Sequence, residues 1–124
     1  MEIKIINCLQ DNFSYLLIDE KSLNACVVDP GEAQPILKYI ENHKINLKFI
    51  LNTHHHHDHI GGNNILKSKF GAKILAFKGD KERIPKIDIF LEDNQIWKDG
   101  PFEFKVIHVP GHTSGHICFS FFNE

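Results

Sequence analysis

Leu47-Lys48-Phe49-Ile50-Leu51 is apolar at every position but one, and only Asn52-Thr53 separates it from a run holding five histidines in the six residues His54 to His59. A strand apolar on both faces belongs inside a sheet covered on both sides, the arrangement of α/β proteins. A polar cluster at the end of such a strand falls on a loop, where binding and catalytic groups concentrate. Gly61-Gly62 and the following Asn63 then open a helix. Strand, histidine loop and helix in that order restrict the chain to folds that present a site at strand ends.

The rest of the chain is ordinary by comparison. Its 124 residues are 42% hydrophobic and 24% charged, with a formal net charge of -2. That balance suits one small globular domain and gives no electrostatic reason to expect nucleic acid or an anionic membrane as partner. No apolar run approaches the ~18 residues that span a bilayer, and Met1-Glu2-Ile3-Lys4 has no signal-peptide character. Three cysteines, Cys8, Cys26 and Cys118, form no CxxC pair. An odd, scattered set fits a reducing, cytoplasmic setting better than a disulfide scaffold.

Period-two alternation predicts strands over Glu2–Asn7, Phe13–Ile18 and Ala25–Val28, joined as an antiparallel meander. Asp29-Pro30-Gly31 stops the third strand. Ala33–His43 reads as a helix with Ile36, Tyr39 and Ile40 on one face and Pro35 in its first turn. Asn63 is expected to cap a second helix that carries Ile65, Leu66 and Phe70 and ends at Gly71. Lys73–Phe77 reads as a strand, Gly79–Pro85 as polar loop and Gln95–Trp97 as a weak strand. Asp99-Gly100 marks a hairpin turn. Phe102–Val109 and His116–Phe122 complete the strands, giving an α/β architecture.

Three bland explanations of the histidine run fare poorly. A purification tag is terminal, a solvated loop rarely gathers so scarce a residue, and satisfied core histidines occur singly. Metal chemistry accounts for it better. In an extended loop residues i and i+2 point to one side, so His54 and His56 can reach one metal together. Asp58 and His59 follow where a turn into the helix can aim them at a second. Imidazole and carboxylate suit Zn²⁺, with Fe and Mn as alternatives. A catalytic zinc takes three protein ligands and an open position, so His54 and His56 need another. His112, flanked by Gly111 and Gly115 on the loop after a strand, is the natural third. His116 reads as structural or as support for a ligand, and His108 as structural. His43 closes a helix as a favourable charge, while His55 and His57 hold the loop. Ser114 and Cys118 read as backbone or core residues.

His54-x-His56-x-Asp58-His59 followed by Pro110-Gly111-His112 resembles the signature of the metallo-β-lactamase superfamily. Within it the chain is similar to glyoxalase II, the hydroxyacylglutathione hydrolases, through Asp11–Leu16, Val28–Glu32 and Gly111–Cys118. The resemblance covers essentially all 124 residues but only the N-terminal half of the family's chain. It implies half of an αβ/βα sandwich, a mixed sheet with flanking helices. Residues 1–124 would then be a single partial domain, lacking the C-terminal half of the fold and the helical substrate-binding region. By resemblance His54, His56 and His112 bind a first zinc, and Asp58 and His59 a second. The family's bridging aspartate, its further histidine and its glutathione-holding region have no matching positions before Glu124.

The implied activity is zinc-dependent hydrolysis of a glutathione thioester such as S-lactoylglutathione, part of methylglyoxal detoxification. Metal-activated hydroxide attacks the thioester carbonyl. The thiol leaving group, with an intrinsic pKa of about 8.5, departs without a general acid. One complete metal site and one unfinished site predict weak or absent activity for the isolated chain. An exposed apolar face predicts self-association or pairing with a complementary C-terminal chain. The alternatives are a persulfide dioxygenase-like or lactonase member of the superfamily, or a truncated, non-catalytic metal-binding remnant.

Overall fold

A computed structural model describes residues 2–8, 12–54, 60–109 and 116–122. The alternating N-terminal segments form the expected meander: β1 (Glu2–Cys8), β2 (Asn12–Ile18) and β3 (Asn24–Val28) pair antiparallel in turn. Helix α1 (Ala33–His43) then carries the chain over the sheet, so β4 (Asn46–Leu51) returns parallel to β3. Helix α2 (Asn63–Phe70) leads to β5 (Lys73–Phe77), parallel to β4, and a short β6 (Ile89–Leu91) runs parallel to β5. These six strands form one mixed sheet in chain order. A second, antiparallel sheet holds β7 (Ile96–Asp99), β8 (Phe102–His108) and β9 (Ile117–Phe121).

Side-chain alternation sorts the large sheet's residues into two cores. Leu16, Ile18, Ala25, Val27, Ile50, Ile74 and Ala76 pack with Ile36, Leu37, Ile40 and Leu66 of the helices. Leu17, Cys26, Phe49, Leu51, Leu75 and Leu91 pack on the other face with Phe102, Phe104, Val106 and Ile117 of the second sheet. Trp97 seals that layer edge-on to Phe49, their ring centroids 4.9 Å apart. Each fully buried aliphatic or aromatic side chain contributes about 1.5–3 kcal/mol. The register slips between Ala25↔Leu47 and Cys26↔Phe49, leaving Lys48 as an extra residue. This bulge explains how Leu47 joins the helix-side core and Phe49 the inter-sheet core although two residues apart.

Helix α1 has the expected bounds, and Lys44 ends it at φ 54 with its N–H donating to the Ile40 carbonyl. Gly71 ends α2 at φ 67, as its position suggests. Two details depart from the sequence reading, the cap of α2 and the segment Gly79–Pro85. Asn63 does not cap α2: Gly62 is the cap residue, without a side-chain hydrogen bond, and the Asn63 amide turns inward. Of the apolar residues this helix carries, Leu66 is buried and Ile65 exposed. The segment Gly79–Pro85 is not wholly polar loop, since it contributes the buried Ile84 and begins within a 3-10 turn at Lys78–Asp80.

Candidate metal centre

The carboxyl ends of β3 and β4 lie side by side, and both chains leave the sheet there. Ligand sites of open α/β sheets sit at this edge. The Asp29 N–H still donates to the Leu51 carbonyl at 2.8 Å and the Asn52 N–H to the Leu75 carbonyl at 3.0 Å, so the first residues past each strand remain in the sheet's frame. Asp29 then turns left-handed, at φ 54. Among non-glycine residues aspartate tolerates this conformation comparatively well, at a cost of about 1–2 kcal/mol. Ser14, fully buried on β2, donates its hydroxyl to the Asp29 carbonyl at 2.7 Å and holds the turn.

The turn aims the Asp29 carboxylate across to the loop after β4. One oxygen accepts the Thr53 N–H at 2.7 Å and the other the Thr53 hydroxyl at 2.6 Å. The Thr53 Oγ1 also lies 2.9 Å from Nδ1 of His54. His54 is buried, 4% exposed, with its ring tilted against that of His116 at 4.8 Å between centroids. The Ile117 N–H donates to the Thr53 carbonyl and the Val109 N–H to the His116 carbonyl, each at 2.8 Å. The second sheet is thereby bonded to the loop that carries His54, and Val109 and His116, which flank residues 110–115, lie together.

A pair of buried amides joins Asn52 and Asn63, the residues on either side of the histidine loop. Asn63 Nδ2 donates to Asn52 Oδ1 at 2.7 Å, and Asn52 Nδ2 to Asn63 Oδ1 at 3.3 Å. The Gly62 N–H bonds the Pro30 carbonyl at 2.6 Å. A Cβ at Gly62 would lie 2.8 Å from that carbonyl oxygen, so the close approach requires glycine.

Of the expected ligands, His54 stands at this strand edge; His56, Asp58, His59 and His112 lie outside the described residues, as do His55, His57 and Ser114. No cluster of three or more metal-ligating side chains occurs among the described residues. His54 fits a metal: it is a buried imidazole whose Nδ1 is engaged by a hydroxyl, as metal-bound histidines are commonly oriented. Two other described histidines make contacts away from this edge. His43 bonds the Tyr39 carbonyl at 2.9 Å and stacks on its ring. His108 stacks on Phe77 at 4.6 Å. Burial pushes the Cys26 thiol far up, which makes it inert as a nucleophile. The structure adds Asp29, Thr53, Asn52 and Asn63 to the site. An acidic residue ending an apolar strand was the visible signal for the first; nothing in the sequence pairs the two asparagines.

The metallo-beta-lactamase superfamily profile matches residues 11–124. The chain belongs to the metallo-β-lactamase superfamily. It is 59% identical over 124 residues to the hydroxyacylglutathione hydrolase of Pelagibacter ubique, covering 100% of this chain and 52% of that protein. It is 42% identical over 121 residues to the hydroxyacylglutathione hydrolase of Methylococcus capsulatus, covering 98% and 47%. The chain thus spans about half the length of these curated relatives. Among solved structures, the B3 metallo-beta-lactamase BLEG-1 superposes with a TM-score of 0.89 at 22% identity, over 97% of this chain and 67% of that one. ETHE1 from Myxococcus xanthus superposes with a TM-score of 0.83 at 21% identity, over 98% and 54%. Both share the fold of this chain, in keeping with the expected α/β half-sandwich of a mixed sheet with flanking helices.

Proposed function

We propose that this chain is the metal-binding half of a glutathione thioester hydrolase of the hydroxyacylglutathione hydrolase kind. The observation that carries this reading is the 59% identity to the Pelagibacter ubique enzyme across the whole chain. His54, His56 and His112 would hold a first zinc, and Asp58 and His59 would contribute to a second. Zinc bound there would supply a water acidified to a pKa of about 7 and a Lewis acid for the thioester carbonyl. The chain's own contribution is positional. Asp29 and Thr53 orient His54, the Asn52–Asn63 pair anchors both ends of the loop, and Gly62 admits its return against Pro30.

A groove of ≈430 Å³ between the sheets, lined by Ile3, Tyr15, Leu17, Val28, Phe119 and Phe121, ends at Thr53. Ile3 and Tyr15 on its β1–β2 wall remain exposed, as do Ile5 and Phe13 on the same strand pair. Among the described residues the outer edge of β9 is unpaired. We read this face as the seat of the part of the relatives' length that this chain does not span, in a reducing cytoplasm where Cys26 and Cys118 stay thiols.

A chimera tests the reading. Residues 1–124 replace the matching half of the Pelagibacter enzyme, and release of glutathione from S-lactoylglutathione is followed. Zinc-dependent hydrolysis that His54→Ala abolishes is expected. A folded, zinc-loaded chimera that leaves the thioester intact would overturn it.

A further inference from the structure

We propose that Asp29 is a positioning residue which, through the Thr53 hydroxyl, fixes His54 as the tautomer protonated on Nδ1, so that Nε2 carries the lone pair a metal needs. The inference rests on the reading of His54 as a ligand. The Thr53 hydroxyl has one proton and two close neighbours, Asp29 Oδ2 at 2.6 Å and His54 Nδ1 at 2.9 Å. A carboxylate only accepts, so the hydroxyl proton lies on the Asp29 side. The same hydroxyl can then meet His54 only as an acceptor, and Nδ1 must bring the hydrogen. The opposite arrangement would set a hydroxyl lone pair against a carboxylate oxygen at 2.6 Å in a largely buried site, where unpaired polar contacts are costly.

The geometry leaves the carboxylate little freedom to do otherwise. Its first oxygen is engaged by the Thr53 N–H at 2.7 Å. The Asp29 backbone is held at φ 54 between the Ser14 hydroxyl on its carbonyl and the Leu51 carbonyl on its N–H. A left-handed backbone at a non-glycine residue persists where surrounding bonds enforce it, and such residues cluster at functional sites.

Asp29→Asn turns the argument into a reversal. The Thr53 N–H still requires an acceptor, so the amide oxygen takes that position and the amide NH₂ faces the Thr53 hydroxyl. The hydroxyl must then donate to His54 Nδ1, and the ring proton moves to Nε2. The test is side-chain ¹⁵N NMR of the metal-free chain at neutral pH, with His54 assigned from a His54→Gln sample. Nδ1–H is expected in the wild type and in Thr53→Ser, Nε2–H in Asp29→Asn, and a mixture in Thr53→Val. Zinc affinity, read by competition with a chromogenic chelator, is expected to fall about 10–100-fold in Asp29→Asn and to survive in Thr53→Ser. A wild type protonated on Nε2, or a Thr53→Val chain with the wild-type tautomer, overturns the proposal. Failure of the ligand reading looks different: Nδ1–H is present, yet His54→Gln leaves zinc affinity unchanged.

Discussion

Asn52 and Asn63 hold each other by two reciprocal amide hydrogen bonds, at 2.7 and 3.3 Å, from opposite ends of the histidine loop. Both are buried, 1% and 4% exposed. Asn63→Ala removes both of these hydrogen bonds from the buried Asn52 amide, and losing a buried hydrogen-bond partner costs about 1–3 kcal/mol. The urea midpoint should fall accordingly, and zinc affinity with it. An unchanged midpoint would show that the pair is not structural.

Gly62 and Gly71 are both glycines at the ends of α2, but they should respond differently to alanine. At Gly62 the new Cβ meets the Pro30 carbonyl oxygen at 2.8 Å and the Ala33 nitrogen at 3.0 Å, both rigid backbone. At Gly71 it meets nothing within 4 Å and only the φ of +67° is unfavourable. Gly71→Ala should cost about 1–2 kcal/mol and leave zinc binding alone. Gly62→Ala should cost about 1–3 kcal/mol and weaken zinc binding too, because Gly62 and the Pro30–Ala33 backbone beside Asp29 must move apart. Equal zinc affinity in the two variants would contradict this.

Asp88 joins β5 to α2, accepting from the Ile74 N–H at 2.8 Å and from the Lys67 ammonium. Partial burial alone would raise its carboxyl, but the hydrogen bonds from Lys67 and Ile74 and the charges of Lys67 and Lys73 outweigh it and hold the pKa below 3.8. A folded pKa below the unfolded one stabilises above the unfolded value and is lost as pH falls through the folded value. The unfolding temperature of the wild type should therefore drop on acidification below pH 3.8 more steeply than that of Asp88→Asn. Parallel pH profiles would remove Asp88 from the account of acid stability.

The exposed β1–β2 face carries Ile5 at 55% and Tyr15 at 42% exposure, directly opposite each other across the strand pair. Apolar patches of this kind drive association. Sedimentation should show concentration-dependent self-association, and Ile5→Glu should reduce it without lowering the unfolding temperature. A monomeric wild type at high concentration would count against the reading of this face as an interface.

Much of this was legible in the sequence for physical reasons. Phe102, Phe104 and Val106 alternate, and all are buried; the apolar stripe and Pro35 of α1 set that helix to the residue. β6 escaped because three residues, Ile89–Leu91, are too few for alternation to register, and only Leu91 is buried. Asn63 reads as a cap because a cap and a buried amide partner look alike until Asn52 is brought beside it. The site divides in the same way. Histidine spacing marks ligand chemistry locally, whereas Asp29 reaches Thr53 across 24 positions, a link that only the parallel pairing of β3 and β4 creates.

Zinc stoichiometry of the isolated chain, measured beside His54→Ala, tests the metal-centre reading most directly. About one tightly held zinc per wild-type chain is expected, the first site having three candidate ligands, and its loss in His54→Ala. A wild-type chain that holds no zinc, or a His54→Ala chain that holds it as tightly, would contradict the reading of this strand edge as a metal centre.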